Sequence, residues 1–215
     1  CFLRIVLLGK GDHQINSSWT DPGGFEFATT LGITRSNITF LGKGKDATTI
    51  LGGFAIYNFE NITFKNMTVT NTSEDGDGIR MSNAKVELFD VALKGCRGTA
   101  LFIPTATSET TVVATRCEFA NSNYGAIVEG SLTSATFKNC VFHDNEDGIY
   151  GCSNSTTHLH GEGTAIHSNR RNGINVINYS KTIIHLPSEH NTSYNNTGED
   201  RRTSNGGTIT NVEDF

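Results

Sequence analysis

The stretch "ENITFKNMTVTN", residues 60–71, puts apolar side chains at Ile62 and Phe64 and again at Met67 and Val69. Alternation with a period of two marks a strand with one buried face. Here it loses one beat at Lys65-Asn66 and then resumes. A skipped beat met once is a local irregularity. Met at a fixed spacing, it is a bend repeated in space.

The beat recurs. "KVELFDVAL" carries Val86, Leu88, Val91 and Leu93. "TVVATRCEF" carries Val112, Ala114, Cys117 and Phe119, and "SATFKNCVF" carries Ala135, Phe137, Cys140 and Phe142. "NITFLGKG" supplies Ile38 and Phe40. Further on, "HLHGEGTAI" aligns Leu159, Gly161, Thr164 and Ile166, and "TIIHLPSEH" aligns Ile183, His185, Ser188 and His190. "GTITNVEDF" begins again at Ile209. The first positions run 38, 62, 86, 112, 135, 159, 183 and 209, a period of about 24 residues and so a repeat architecture.

Each repeat also carries a Gly-led segment: "GDGIRMSN" at 76–83, "GTALFI" at 98–103, "YGAIVEG" at 124–130, "DGIYGCSN" at 147–154 and "NGINVIN" at 172–178. A repeat therefore holds three short strands, one after the glycine and two flanking the bend. Three strands around a triangle bury their inward residues against the coils above and below. At roughly 4.8 Å per coil, eight coils make a rod of about 40 Å. The bends at Asn66, Asp90 and Asn139 use residues that tolerate left-handed φ.

Composition agrees. The chain has 215 residues, 23 Gly, only 3 Pro and a net charge of −5, which suits β-structure with tight turns and excludes a strongly basic nucleic-acid binder. No apolar run reaches membrane-span length. "FLRIVLL" reads as a strand rather than a signal peptide, and a chain that begins at Cys1 is expected to be a trimmed product. Residues 1–32 do not follow the repeat and are expected to cap the first coil, since an open solenoid end exposes strand edges. The repeat is cut at Phe215, so further chain, a partner or a second copy is expected at that edge.

The "NITF-KN" corner and the "DGI" strand starts resemble the right-handed parallel β-helix of the pectate-lyase-like superfamily, over residues 33–215. "NITFLGKGKDATTILGG" (37–53) is similar to an early coil of pectin methylesterases and related sugar-acting β-helices. The resemblance implies an all-β, single-stranded right-handed parallel β-helix of about eight coils with three short strands each. It also implies a glycan ligand on the outer face of the Gly-led sheet. The Gln-Ala and Arg-Pro-Trp segments of plant pectin methylesterases and the Gly-His-Gly of polygalacturonases are missing.

On that face the expected outward residues are Arg80, Leu101, Ile127, Tyr150 and Asn175. The turns beside them stack into a charged stripe that includes Glu146, Asp147, Arg170 and Arg171. Tyr124 and Tyr150 would offer ring faces to sugars, with Arg80, Arg170 and Asn175 as binding groups. Asp147 or Glu146 would act as general acid or base, with Arg171, if the protein is an enzyme. The competing reading is an exposed ion-pair ladder in which each pair contributes little. Two functions follow: an extracellular or cell-surface module binding an acidic polysaccharide, as part of a larger assembly, or a lyase or hydrolase acting on uronate-containing glycans. No cofactor is expected; "SEDGDG" (73–78) offers oxygen ligands to calcium but lacks the spacing of an EF-hand loop. Sequons at Asn16, Asn37, Asn61, Asn66, Asn71, Asn154, Asn178, Asn191 and Asn195 fit a secreted glycoprotein. Cys117 and Cys140 share an inward column, as a disulfide or as two stacked thiols. His143 and His167 form an outward pair lacking a third metal ligand, with His158 and His160 on another face.

Overall fold

The computed structural model describes residues 3–187 and 189–212, so Cys1, Ser188 and Phe215 lie outside the described residues. The described residues contain no helix. The chain winds as a parallel β-solenoid of about eight turns. Eight strands from Thr30–Ile33 to Arg201–Thr203 stack in parallel to form the Gly-led sheet. The other two faces join into one 15-stranded sheet, because Ile62–Thr70 and Lys85–Lys94 each run through the bend as a single strand.

The skipped beat is a corner. Asn66, Asp90, Arg116 and Asn139 take φ of 56°, 52°, 53° and 52° there, the left-handed region that Asn and Asp tolerate best. Arg116 is the exception in this column. Its Nε and Nη2 donate to Asp90 Oδ1 and Oδ2 at 2.9 and 2.7 Å, and its guanidinium lies 4.0 Å from the Phe89 ring centroid. The Arg116 hydrogen bonds hold the Asp90 carboxyl below the usual carboxylate range. A carboxyl depressed in the folded state stabilises it above the unfolded-state value, and that contribution is lost as pH falls through the folded value. Both side chains are partly exposed, so solvent screening leaves the pair a small contribution. Urea titrations of wild type and Arg116→Met are therefore expected to differ slightly near neutral pH, with wild type the more stable. The two curves should converge once Asp90 is protonated.

The inward column is Ile38, Ile62, Val86, Val112, Ala135, Thr157, Thr182 and Ile209. This corrects the expectation for two coils: Thr157 and Thr182, both buried, replace Leu159 and Ile183. Leu159 is inward but one pair further along, beside Phe137 and Ile184. Polar threonines at the first inward position hid the apolar signal. In the last of these coils the one-residue slip turns Ile183 and His185 outward.

Aromatic rings stack through the core. Phe119 lies on Phe142 at 4.5 Å, and Phe137 meets Phe142 edge-on at 4.9 Å. Cys117 and Cys140 stand as free buried thiols, as do Cys96 and Cys152. Burial pushes Cys96 up to about 11, so its thiol stays protonated and unreactive near neutral pH.

A polar ladder fills the corner before the Gly-led sheet. Cys96 N donates to Ser122 Oγ, Ser122 N to Asn145 Oδ1, Asn145 N to Asn169 Oδ1 and Asn169 N to Asn196 Oδ1, each at 3.1 Å. This ladder explains the glycines. A Cβ on Gly148 would stand 2.6 Å from Gly173 O and 3.0 Å from Asn169 Nδ2, so the strand start must carry no side chain to pass the inward asparagine.

The first coil is present before residue 33. Arg4–Leu7 pairs in parallel with Ile38–Leu41, and Gly11–Gln14 with Thr48–Leu51. Between them and Thr30, the chain makes an antiparallel hairpin of Trp19–Thr20 with Glu26–Phe27. Among the sequons, Asn71 is buried, with its Nδ2 donating to Asp77 O. Asn37, Asn61, Asn66, Asn154, Asn178 and Asn195 have positive φ, so turn geometry accounts for those asparagines. No helix among the described residues is long and apolar enough to cross a membrane.

Candidate functional site

The outward column of the Gly-led sheet runs Gly32, Ala55, Arg80, Phe102, Ile127, Tyr150, Asn175 and Arg202. Leu101 is fully buried and points inward, which corrects its expected outward position. In "GTALFI" two more residues separate the glycine from the outward side chain than in "DGIR", so Phe102, not Leu101, lies beside Arg80.

The two ends of this column differ. The 19–27 hairpin covers the early rungs. Trp19 lies 4.7 Å from Tyr57, and the Arg80 guanidinium is sandwiched between Phe27 at 4.7 Å and Phe102 at 4.4 Å. Arg80 also donates to Tyr57 Oη at 3.2 Å and Asp77 Oδ2 at 3.1 Å. Asp77 Oδ1 in turn accepts from Thr99 N at 2.8 Å. Burial pushes the Asp77 carboxyl up, opposed by the Thr99 N–H and by Arg80. Arg80 and Asp77 are thus bound into the fold, while Glu74 and Asp75 of the 73–78 segment stay exposed.

The later rungs are open. A groove of about 440 Å³ is lined by Tyr124, Tyr150, Asp147, Arg171, Asn175 and Arg202, together with Ile127, Glu129, Ile177 and Ser204. The rings of Tyr124 and Tyr150 are 5.9 Å apart and inclined at 56°. Burial raises both phenols, and for Tyr124 the Asp147 and Glu146 carboxylates add to the shift, so both hydroxyls remain donors near neutral pH. Asp147 and then Glu146 hold Arg171 firmly in its charged form. On the floor, Asn175 is 5% exposed and its Oδ1 has no hydrogen-bond partner among the described residues. A buried acceptor left unmade costs roughly 1–3 kcal/mol.

The structure brings together six of the expected residues: Asp147, Arg171, Tyr124, Ile127, Tyr150 and Asn175. Asp147 is 1% exposed, and its Oδ1 accepts from Asn172 N and Nδ2, both at 2.8 Å. It ties one coil's turn to the next as well as lining the groove. Glu146 lies outside the lining and pairs with Arg171 at 3.4 Å, with both side chains more than two-fifths exposed. Arg170 is exposed on the turn and its N–H donates to Asn145 O. Arg202 lies in strand Arg201–Thr203, beside Asn175. Glu129, Ile177 and Ser204 carry no sequence signal beyond their place in the repeat.

On the third face His143 and His167 are register partners with rings stacked at 5.5 Å, and Tyr194 continues the stack at 5.3 Å. His143 also meets Asp144 at 2.6 Å and Glu118 at 3.4 Å. Burial, then His143, lowers the His167 imidazole. On the second face the corrected register brings His158, His160 and His185 together.

Residues 33–213 match a family model described as a right-handed β-helix region. No curated protein sequence is significantly similar to the chain. Among solved structures, the Azotobacter vinelandii mannuronan C-5 epimerase AlgE4 A-module is similar at 10% identity and a TM-score of 0.37, over 98% of this chain and 91% of that one. The AlgE6 A-module from the same organism is similar at 11% identity and a TM-score of 0.29, over the same shares.

Proposed function

Because the chain belongs to the family of right-handed β-helix regions, whose stacked strands leave long outer faces, we propose that the groove on its Gly-led face binds an acidic polysaccharide. The observation that carries this reading is the unpaired Oδ1 of Asn175 on the groove floor, between Tyr150 and Arg202 in the same column. A buried acceptor calls for a donor, and a sugar ring supplies hydroxyls around its edge. Tyr150 and Tyr124 give the apolar faces on which a pyranose ring stacks. Arg171 and Arg202 give planar donors that match a carboxylate or sulfate. The setting is extracellular or at a cell surface, which the exposed sequons at Asn16 and Asn191 favour.

Binding rather than turnover is the reading because Asp147 Oδ1 is committed to Asn172 and Glu146 lies outside the groove lining. Titration calorimetry with a panel of polyuronates, sulfated glycans and neutral glycans tests it. An acidic polymer is expected to bind. Tyr150→Ala is expected to weaken it about tenfold, or ~1.4 kcal/mol, and Arg202→Ala to weaken it with a reduced salt dependence. Equal affinity for neutral and acidic polymers, unchanged by Arg202→Ala, would overturn the proposal. New reducing ends or the ultraviolet absorbance of an unsaturated uronate, lost in Asp147→Asn, would replace it with the lyase or hydrolase reading.

A further inference from the structure

We propose that His158, His160 and His185 form a binding site for a borderline divalent transition-metal ion, of the zinc type, on the second face of the solenoid. The site is separate from the groove and does not depend on the glycan reading. His158 and His160 stand two residues apart on strand Thr156–His160, so they project from the same side of the sheet. His185 ends strand Lys181–His185 on the next coil, directly beside His160. All three are half-buried, and one ligand nitrogen from each lies within 4.8 Å of the others. His158 Nδ1 is 3.0 Å from His185 Nε2, and the His160 and His185 rings lie 4.0 Å apart and nearly parallel, at 11°.

The ligand chemistry selects the ion. Three imidazole nitrogens suit zinc, copper, nickel or cobalt; calcium and magnesium take oxygen donors. A tetrahedral zinc with bonds of about 2.0–2.1 Å needs nitrogens about 3.3 Å apart. The His158–His185 pair, at 3.0 Å, stands within about 0.3 Å of that spacing; the His160 and His185 rings are stacked face to face, so their in-plane lone pairs converge on one ion once these partly exposed rings rotate on the fixed backbone. Two strands of a rigid ladder hold the Cα positions, so the rotamers are the main ordering cost on binding. Three protein ligands leave a fourth position open to water or an oxygen ligand. Lys138 is the register neighbour of His160 on the preceding coil; its charge opposes a bound cation and sets a limit on affinity.

The experiment uses the whole chain after dialysis against a chelator. Zinc chloride is titrated by calorimetry near neutral pH, and the histidine ring signals are followed by NMR in the same samples. One zinc per chain is expected, with the rings of His158, His160 and His185 shifting together. His185→Gln and His160→Gln are each expected to weaken binding at least about tenfold, while circular dichroism keeps the β-signature of wild type. Lys138→Ala is expected to tighten it. The His143→Gln, His167→Gln double variant is expected to leave binding unchanged. No saturable binding at micromolar zinc would overturn the proposal. So would shifts confined to His143 and His167, or undiminished binding in a folded His158→Gln, His160→Gln, His185→Gln triple variant.

Discussion

Phe142→Ala is expected to lower the unfolding free energy by about 3–5 kcal/mol, the range for emptying a buried aromatic site. Phe142 is fully buried. It stacks on Phe119 at 4.5 Å and takes the edge of Phe137 at 4.9 Å, so its loss removes contacts to the coil below and across the triangle. Collapse is blocked because the backbone on each side is tied into parallel ladders with Glu118–Ala120 and Ala165–His167. Such ladders cannot shift by less than a register step. A solenoid carries its stability through nearest-neighbour coil interfaces, and this void lies at one of them. Guanidinium unfolding monitored by circular dichroism measures the loss. Phe142→Leu, which keeps most of the volume, should recover more than half of it. If both variants unfold like wild type, the stacked aromatic core is not what holds adjacent coils together.

Asn169→Ala is the second large effect, expected at about 3 kcal/mol, from hydrogen bonds rather than volume. Asn169 is fully buried. Its Oδ1 accepts from Asn145 N and Nδ2, both at 3.1 Å, and its Nδ2 donates to Asn196 Oδ1 at 2.8 Å and Phe142 O at 3.4 Å. Removing it strands Asn145 N in the dry interior and costs that group its full desolvation, about 1–3 kcal/mol. Asn145 Nδ2 keeps Phe119 O at 3.0 Å, so the ladder is broken at one rung without unravelling. The same substitution at the exposed Asn191 should change stability by less than about 0.5 kcal/mol. Equal effects at the two positions would show that the corner ladder contributes nothing beyond side-chain loss. Thermal melts of both variants decide it.

The architecture was legible because burial in a solenoid repeats. Ile62, Val86, Val112 and Ala135 fall in one column as the apolar spacing requires, and Asn66, Asp90 and Asn139 turn the chain where the beat is skipped. The reading slipped where the signal was chemically disguised. Thr157 and Thr182 are inward but polar, and the shifted register that resulted sent His185 to the wrong side. "GTALFI" lengthens the run after its glycine, which turned Leu101 outward on paper and inward in the fold. The asparagine ladder had no periodic apolar signature at all: its members are Cys, Ser and Asn, ordinary turn residues in sequence.

By itself the sequence determined the winding: the repeat length, three strands per coil, the bends and most of the apolar core. Those are short-range and periodic properties, set by side-chain alternation and by which residues tolerate left-handed φ. Tertiary structure alone decided which polar side chains share a surface. The groove joins Tyr124, Asp147, Asn175 and Arg202 from four coils, the 19–27 hairpin shields Arg80 from it, and three histidines from two coils meet on another face. Such neighbours are separated by whole turns of the chain, and a shift of one residue in a single strand is enough to part them. The physical reason is that side-chain direction alternates every residue, while the pairing that fixes it is a long-range property of the stacked ladder.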